Sequence, residues 1–302
     1  MDQQRLGDAI RKAFEKGGFT KKGVAIALPS NLVITREFTL HAGQEADHWD
    51  MVESEVQQTV PMNIDEIYID YTILGPHENP DLVYAAYAVS KKQHVDEYIG
   101  ALEIAGLVAK IVDTDHDATL HAIIDIAKHQ KEGCLNENIL NVSIGLDKTE
   151  YMAFKNEKML WSREHHVCAR TLLEAIVDMF GVEPEEALAV IRNPAGYVNK
   201  YPNVITDFVQ PFVDSLALEV LRHIEMFNEE STSFGIQHIW LSGEGSHLTG
   251  LDETISARTG LKSQECNPLA HCKLGSKINS EDLVDVAPLL MVATGMALRT
   301  FE

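Results

Sequence analysis

The sequence has little of what a secreted, membrane-spanning or nucleic-acid-binding protein needs. Only four of its 302 residues are cysteine, and none form a Cys-x-x-Cys pair, which argues against a disulfide framework or a paired-cysteine zinc site. No apolar run reaches the roughly 18 residues of a membrane-spanning helix. The first residues lack the basic and apolar regions of a signal peptide. We therefore expect a cytoplasmic protein with no direct membrane span.

Positive charge is also scarce. The chain has 25 Lys and Arg residues against 46 Asp and Glu residues, giving a formal net charge of −21. Phosphate backbones and anionic lipids bind basic faces, so the composition argues against nucleic acid and against direct adsorption to a membrane. A hydrophobic content of 45% and a length of 302 residues fit a soluble protein of two ordinary domains.

Apolar patterns of helix and strand type alternate along the chain, which predicts an α/β protein. The predicted helices cover 2–16, 46–59, 91–105, 116–131, 171–180, 183–191, 203–229, 250–260 and 287–298. The predicted strands cover 24–28, 32–38, 67–74, 82–89, 108–112, 139–145, 149–154 and 236–241. A domain boundary is predicted at Glu132-Gly133, between a helix and the next strand.

Two strands run directly into glycine turns. The strand 236–241 leads to Gly243 and Gly245, and an upstream strand leads to Gly145. Turns of this kind present backbone N–H groups to a ligand, because glycine has no Cβ to block close approach. The same pattern also serves as an ordinary strand-to-helix connection, so both interpretations stay open at this point.

Several segments together resemble the PilM family of actin-like proteins of type IV pilus assembly. They are 24–38, 101–113, 210–216, 236–268 and 292–299. The resemblance implies an α/β fold of the actin-like, FtsA-like (ASKHA) type with two domains. It places the domain 1 core at 1–40 and 99–135, an inserted subdomain at 41–98 and domain 2 at 136–286, with a C-terminal helix at 287–299 packing on domain 1.

Family members bind ATP and magnesium through several loops, and this chain departs from most of them. By resemblance, the nucleotide-binding candidates are Ser143, Gly145, Asp147, Thr149, Gly243 and Gly245. Ser143 replaces a family aspartate, and the chain starts at the helix that follows the family's first phosphate hairpin. Val167-Cys168 replaces a Gly-Gly pair, and apolar residues at 187–191 replace polar nucleoside contacts. Glu244 is inserted between two glycines, where it would repel a polyphosphate unless it points away.

The lost contacts have a predictable effect on affinity. A charge-assisted contact contributes about 1.5–3 kcal/mol, so losing several lowers the affinity by a factor on the order of thousands. The hypothesis is that ATP binds weakly or not at all, and no ATPase activity is expected. No catalytic residue is predicted, since neither a Gly-x-Ser-x-Gly elbow nor the aspartate base of a kinase is recognisable.

No metal site is predicted either. Asp113, His116 and His121 lie in one acidic, histidine-containing segment, but the two histidines are not at the spacing that shares a helix face. Acidic residues there suit a helix N-terminus, and a metal site is the less favoured alternative. Two further sets of candidate metal ligands are also interpreted without a metal. His165-His166 is interpreted as a solvated pair, and Cys266 and Cys272 are interpreted as ordinary thiols.

Four tyrosines load two neighbouring strands with large side chains: Tyr68, Tyr71, Tyr84 and Tyr87. One interpretation is the core of the inserted subdomain. The other is an aromatic groove for an extended peptide. The resemblance favours the second in part, because PilM-like proteins hold the N-terminal tail of the inner-membrane protein PilN between the domain 1 core and the inserted subdomain.

The expected function is a scaffold that is peripheral to the inner membrane through a PilN-like tail. It would be linked indirectly to PilO-like and pilus motor proteins and so to twitching motility. One alternative is an ATP-binding switch of the same machinery whose first phosphate hairpin is absent from this chain, and a second is a weak ATPase or sugar-kinase relative. Self-association stays open.

Overall fold

The computed structural model describes residues 2–43, 45–130, 134–231, 235–275, 278–279 and 281–299. Its α-helices are α1 Gln3–Lys16, α2 Glu45–Thr59, α3 Lys92–Ile104, α4 Asp115–His129, α5 Ala169–Phe180, α6 Pro184–Arg192, α7 Gln210–Glu230, α8 Leu251–Thr259, α9 Glu281–Val284 and α10 Met291–Ala297. Its strands are β1 Gly23–Leu28, β2 Val33–His41, β3 Ile67–Pro76, β4 Leu82–Lys91, β5 Val108–Thr114, β6 Ile139–Ile144, β7 Thr149–Lys155, β8 Lys158–His165, β9 His238–Ser242 and β10 Lys262–Glu265.

The chain divides into two compact units, residues 1–116 with 299–302 and residues 117–298. The predicted boundary at Glu132-Gly133 lies outside the described residues, and the predicted division into core, subdomain and second domain stays a prediction. None of the helices in the described ranges has both the length and the apolar character needed to cross a bilayer.

The first unit contains a two-stranded parallel sheet, β1 beside β5. Helices α1 and α3 cover one face of this sheet, where Leu102 and Leu107 pack with Phe14 and Val24. The two helices approach closely at Gly7, where a Cβ atom would lie 2.6 Å from the side chain of Ile104.

The same unit also contains a three-stranded antiparallel sheet in the order β2-β4-β3. Helix α2 covers one of its faces, where Val52 and Val56 pack with Leu40, Ala85 and Val89. Because side chains alternate along a strand, the residues between these point to the opposite face. That opposite face is called the open face below.

The second unit is built on a five-stranded sheet in the order β10-β9-β6-β7-β8. Strands β10, β9 and β6 run parallel, whereas β7 and β8 pair antiparallel. Helix α7 packs on one face through Leu216 and Val220, and α4 packs on the other, where Ile123 contacts the group around Trp240. Helices on both faces explain why the central strands are almost continuously buried.

Two predicted helices are interrupted. Residues Ile205–Val209 form a π-helix, and the α-helix begins only at Gln210. Pro211 follows at once and cannot donate the backbone hydrogen bond that one uninterrupted helix over 203–229 would require. The closing segment likewise starts as a 3-10 helix, Ala287–Leu290, before α10. In α10, Gly295 packs on the backbone of Ala118, so closely that no Cβ atom would fit.

Candidate functional site

The two glycine turns lie side by side in the second unit. Strands β6 and β9 are parallel neighbours with Ser143 opposite Ser242, so the turns after them leave the sheet at the same edge. The backbone N–H of Gly245 donates to the carbonyl oxygen of Ile144 at 3.0 Å. The carboxyl edge of parallel strands is where α/β sheets hold ligands. The strand–glycine elements predicted from the sequence therefore meet at this edge.

The glycines of the second turn are required by packing alone. Gly243 has a φ of +84°, and a Cβ atom on it would lie 2.7 Å from the carbonyl oxygen of Ile144. A Cβ atom on Gly245 would lie 2.4 Å from the Ile144 side chain. Because the turn presses on β6 at both positions, the ordinary structural role accounts for these glycines without a ligand.

Backbone donors in the second turn are already used. The N–H of Gly243 donates to Pro288 at 3.0 Å, and the N–H of Ser246 donates to Gly243 at 3.2 Å. With Gly245 bonded to Ile144, three of the N–H groups that could approach a phosphate are bonded to carbonyl oxygens instead.

The first turn shows the same arrangement. The N–H of Gly145 donates to the carbonyl oxygen of Lys148 at 3.0 Å. At the start of α5, Ala169 donates to Gly145 at 2.9 Å and Arg170 donates to Leu146 at 3.0 Å. A helix N-terminus binds anions through its unpaired N–H groups, and here two of those groups are paired with the turn itself.

The basic side chains beside the turns are paired as well. Arg170 donates through Nε to Asp147 at 2.8 Å. Lys148 contacts Glu150 at 2.6 Å and Glu164 at 2.5 Å. Burial lowers the pKa of Lys148, but the two carboxylates outweigh burial, so that its pKa is raised overall.

Glu244 does not point into open solvent. Its carboxylate accepts hydrogen bonds from Arg192 Nε at 2.9 Å and Nη2 at 3.1 Å, and both side chains are partly buried. Arg192 is the last residue of α6. The glutamate that the sequence pattern predicts to repel a polyphosphate is therefore held by an arginine that is 52 residues away along the chain.

The other two candidate nucleotide residues are built into the sheet. Ser143 lies within β6, opposite Glu150 of β7. Thr149 is fully buried, and its hydroxyl donates to the carbonyl oxygen of Val167 at 2.6 Å. A nucleotide-binding role for these residues stays a prediction.

The four tyrosines divide between the two faces of the three-stranded sheet. Tyr71 and Tyr87 belong to the face covered by α2. Tyr87 is only 1% exposed, and its hydroxyl pairs with Thr59 at 2.8 Å. The ring of Tyr71 lies 6.1 Å from that of Trp49. These two tyrosines therefore belong to the core between the sheet and its helix, which agrees with the core interpretation of the sequence and not with the peptide groove.

Tyr68 and Tyr84 belong to the open face. Tyr68 is 45% exposed, and its hydroxyl donates to Asp96 of α3 at 3.1 Å. Tyr84 is 36% exposed and donates to Glu78 at 3.3 Å. Hydrogen bonding to Asp96 raises the pKa of Tyr68, and burial raises that of Tyr84.

Small side chains lie between these two tyrosines. Ala86 and Ala88 of the central strand are half-buried on the open face. Across the sheet, Glu37 lies opposite Ala86 and Asp70 opposite Ala88. This row of small side chains, Ala86 and Ala88 with larger residues opposite them on the outer strands, is called the furrow below. On each strand the two tyrosines are three residues apart, Tyr68 and Tyr71 on β3 and Tyr84 and Tyr87 on β4. Side chains at this spacing point to opposite faces of a sheet, so the division could be read from the sequence.

The carboxylates of the acidic segment that starts at Asp113 make hydrogen bonds and an ion pair with neighbouring residues. Asp115 accepts from the backbone N–H of Ser30 at 2.9 Å, and Asp113 accepts from that of Thr114 at 2.8 Å. Arg299 lies 3.3 Å from the second carboxylate oxygen of Asp113. The segment thus joins the start of α4 to the turn after β1.

A family model and one solved structure each match nearly the whole chain. A family model described as Type IV pilus assembly protein PilM matches residues 1–301. A solved PilM-PilN type IV pilus biogenesis complex is similar with a TM-score of 0.77 and 24% identity, covering 100% of this chain and 86% of that one. The ethanolamine utilization protein EutJ from Carboxydothermus hydrogenoformans gives a TM-score of 0.47 at 16% identity, covering 70% and 62%. MreB 5 of Spiroplasma citri bound to AMPPNP gives 0.40 at 13% identity, covering 69% and 64%.

Proposed function

Because the chain belongs to the family of the type IV pilus assembly protein PilM, we propose that it is a scaffold that holds the N-terminal tail of a PilN-like inner-membrane protein. The family resemblance and the actin-like fold predicted from the sequence are confirmed. The match over residues 1–301 is the observation that carries this function. The similar structure of a PilM-PilN complex supports the choice of partner.

The proposed binding surface is the open face of the three-stranded sheet. An extended segment would lie over the small side chains of Ala86 and Ala88. Tyr68 and Tyr84, which are both exposed, would pack against its apolar side chains at the two ends. Tyr71 and Tyr87, the other two groove candidates, lie on the face covered by α2 and would act only by supporting the sheet from that side. Binding through this tail would hold the protein at the inner membrane.

Nucleotide is not a required ligand in this proposal. Several backbone donors at both glycine turns, and the side chains of Arg170, Lys148 and Arg192 beside them, are bonded within the protein, which leaves fewer groups for a triphosphate. ATP therefore binds weakly or not at all, and the protein works by binding and not by turnover. Links to PilO-like and motor proteins would pass through the PilN-like partner.

A pull-down with a PilN-like N-terminal peptide, with and without magnesium ATP, tests the proposal. We expect equal capture of the protein under both conditions. Failure to capture it under either condition would remove the scaffold assignment. Capture that depends on ATP would instead favour an ATP-binding switch.

A further inference from the structure

We infer that the Glu244 carboxylate occupies an oxyanion site at Arg192 that would otherwise accept a phosphate group. The inference rests on the proposed weak binding of nucleotide and names a residue that causes it. The two hydrogen bonds, at 2.9 Å and 3.1 Å, use two neighbouring donors of the guanidinium. Arginine binds phosphate oxygens with this same two-donor geometry. Glu244 thus takes the place of a bound anion.

The turn holds this carboxylate in position. Glu244 stands between Gly243 and Gly245, and both glycines press against Ile144 of β6. The backbone on either side of Glu244 is therefore fixed, so only the rotamer freedom of its side chain is lost when it pairs with Arg192. An anion from solution must displace a partner that is already in place.

The pair is sheltered in a way that surface ion pairs are not. The side chains of Glu244 and Arg192 are 19% and 33% exposed, whereas Asp147 beside the first turn is 75% exposed. Screening by water makes an exposed pair weak, but a sheltered charge that loses its partner is left uncompensated. Without Glu244, Arg192 would be a half-buried cation at the carboxyl edge of parallel strands, the position where α/β sheets bind ligands.

Titration calorimetry with inorganic phosphate, and separately with magnesium ATP, tests this inference. The proteins are the unmodified chain, Glu244→Ala, Glu244→Gln and the double variant Glu244→Ala with Arg192→Ala. Asp214→Ala is the matched control, because it removes one negative charge and frees an exposed arginine, Arg258, 3.3 Å away in the unmodified protein. Thermal unfolding verifies that each variant is folded.

We expect both Glu244 variants to bind phosphate at least about tenfold more tightly than the unmodified chain, with the gain lost in the double variant. No gain in folded Glu244→Ala and Glu244→Gln would overturn the inference. An equal gain in Asp214→Ala or in the double variant would overturn it too, since the effect would then be one of overall charge. Low-micromolar ATP binding by the unmodified chain would instead refute the proposed loss of nucleotide binding, and the phosphate comparison still decides the role of Glu244.

Discussion

Gly243 packs against the backbone of Ile144, so that a Cβ atom on Gly243 would be 2.7 Å from the Ile144 carbonyl oxygen. This contact joins the second glycine turn to the strand that carries the first. It is made by backbone atoms, which cannot move aside as a flexible side chain can. The glycine turn is thus part of the packing of the second unit, whatever else it binds.

Gly243→Ala should therefore destabilise the protein strongly. The positive φ costs roughly 1–2 kcal/mol in any alanine, and the clash with Ile144 adds about 1–3 kcal/mol. Gly260→Ala is the matched control, because Gly260 has a φ of +71° and a Cβ atom on it would meet nothing within 4 Å. Urea unfolding should show the larger loss at Gly243, and equal losses at the two sites would contradict the packing account.

Filling the furrow should block the peptide without unfolding the sheet. Ala88→Phe adds a ring on the open face at a position that is outside the packed core, so stability should change by less than about 1 kcal/mol. Arg36→Phe places the same ring at an exposed position on the opposite face of β2. Fluorescence anisotropy with a labelled PilN-like peptide should show binding lost only in Ala88→Phe. Retained affinity would move the binding surface elsewhere.

His247 should make stability depend on pH. Its Nδ1 lies 2.9 Å from a Glu265 carboxylate oxygen, and this hydrogen bond raises the His247 pKa. The unfolded histidine titrates near pH 6.5, so the stabilisation is complete below about pH 6.5 and is lost as pH rises through the higher folded pKa. Glu265→Gln should lower the His247 pKa in an NMR titration and should reduce unfolding free energy more at low than at high pH. An unchanged His247 pKa would refute the pairing.

The cysteines should differ sharply in reactivity. Cys134, Cys168 and Cys266 are buried, and Cys272 is exposed. Burial, with a smaller contribution from Glu265, raises the pKa of the Cys266 thiol and keeps it protonated. A thiol reagent should modify Cys272 rapidly in the native protein and the other three only in denaturant. Rapid native labelling of Cys266 would contradict the core packing around it.

Much of the fold follows from local pattern. The stripe of Leu6, Ile10 and Phe14 predicts α1, and the short apolar run at 24–28 predicts β1 as a buried strand. Strand β10 is not predicted, since Lys262–Glu265 is short and mostly polar and forms a strand only by pairing with β9. Tertiary pairing therefore determines what sequence periodicity leaves open.

The candidate site also depends on tertiary contacts that the local sequence pattern does not predict. Sequence shows that a glutamate follows Gly243, but only the fold brings Arg192 to it from 52 residues away. The family resemblance predicts where ATP contacts are lost, and the structure shows that Glu244 is paired with Arg192 at one of these positions. The division of the tyrosines between two faces, by contrast, follows from the strand period alone.

Above all, we propose that this actin-like protein binds a peptide tail and does not depend on nucleotide. Calorimetric titration of the 302-residue chain with a PilN-like N-terminal peptide, in buffer and in magnesium ATP, tests this proposal without an intermediate step. We expect saturable peptide binding with the same affinity in both titrations, and negligible heat from ATP alone. Absence of peptide binding, or tight ATP binding that changes the peptide affinity, would contradict it.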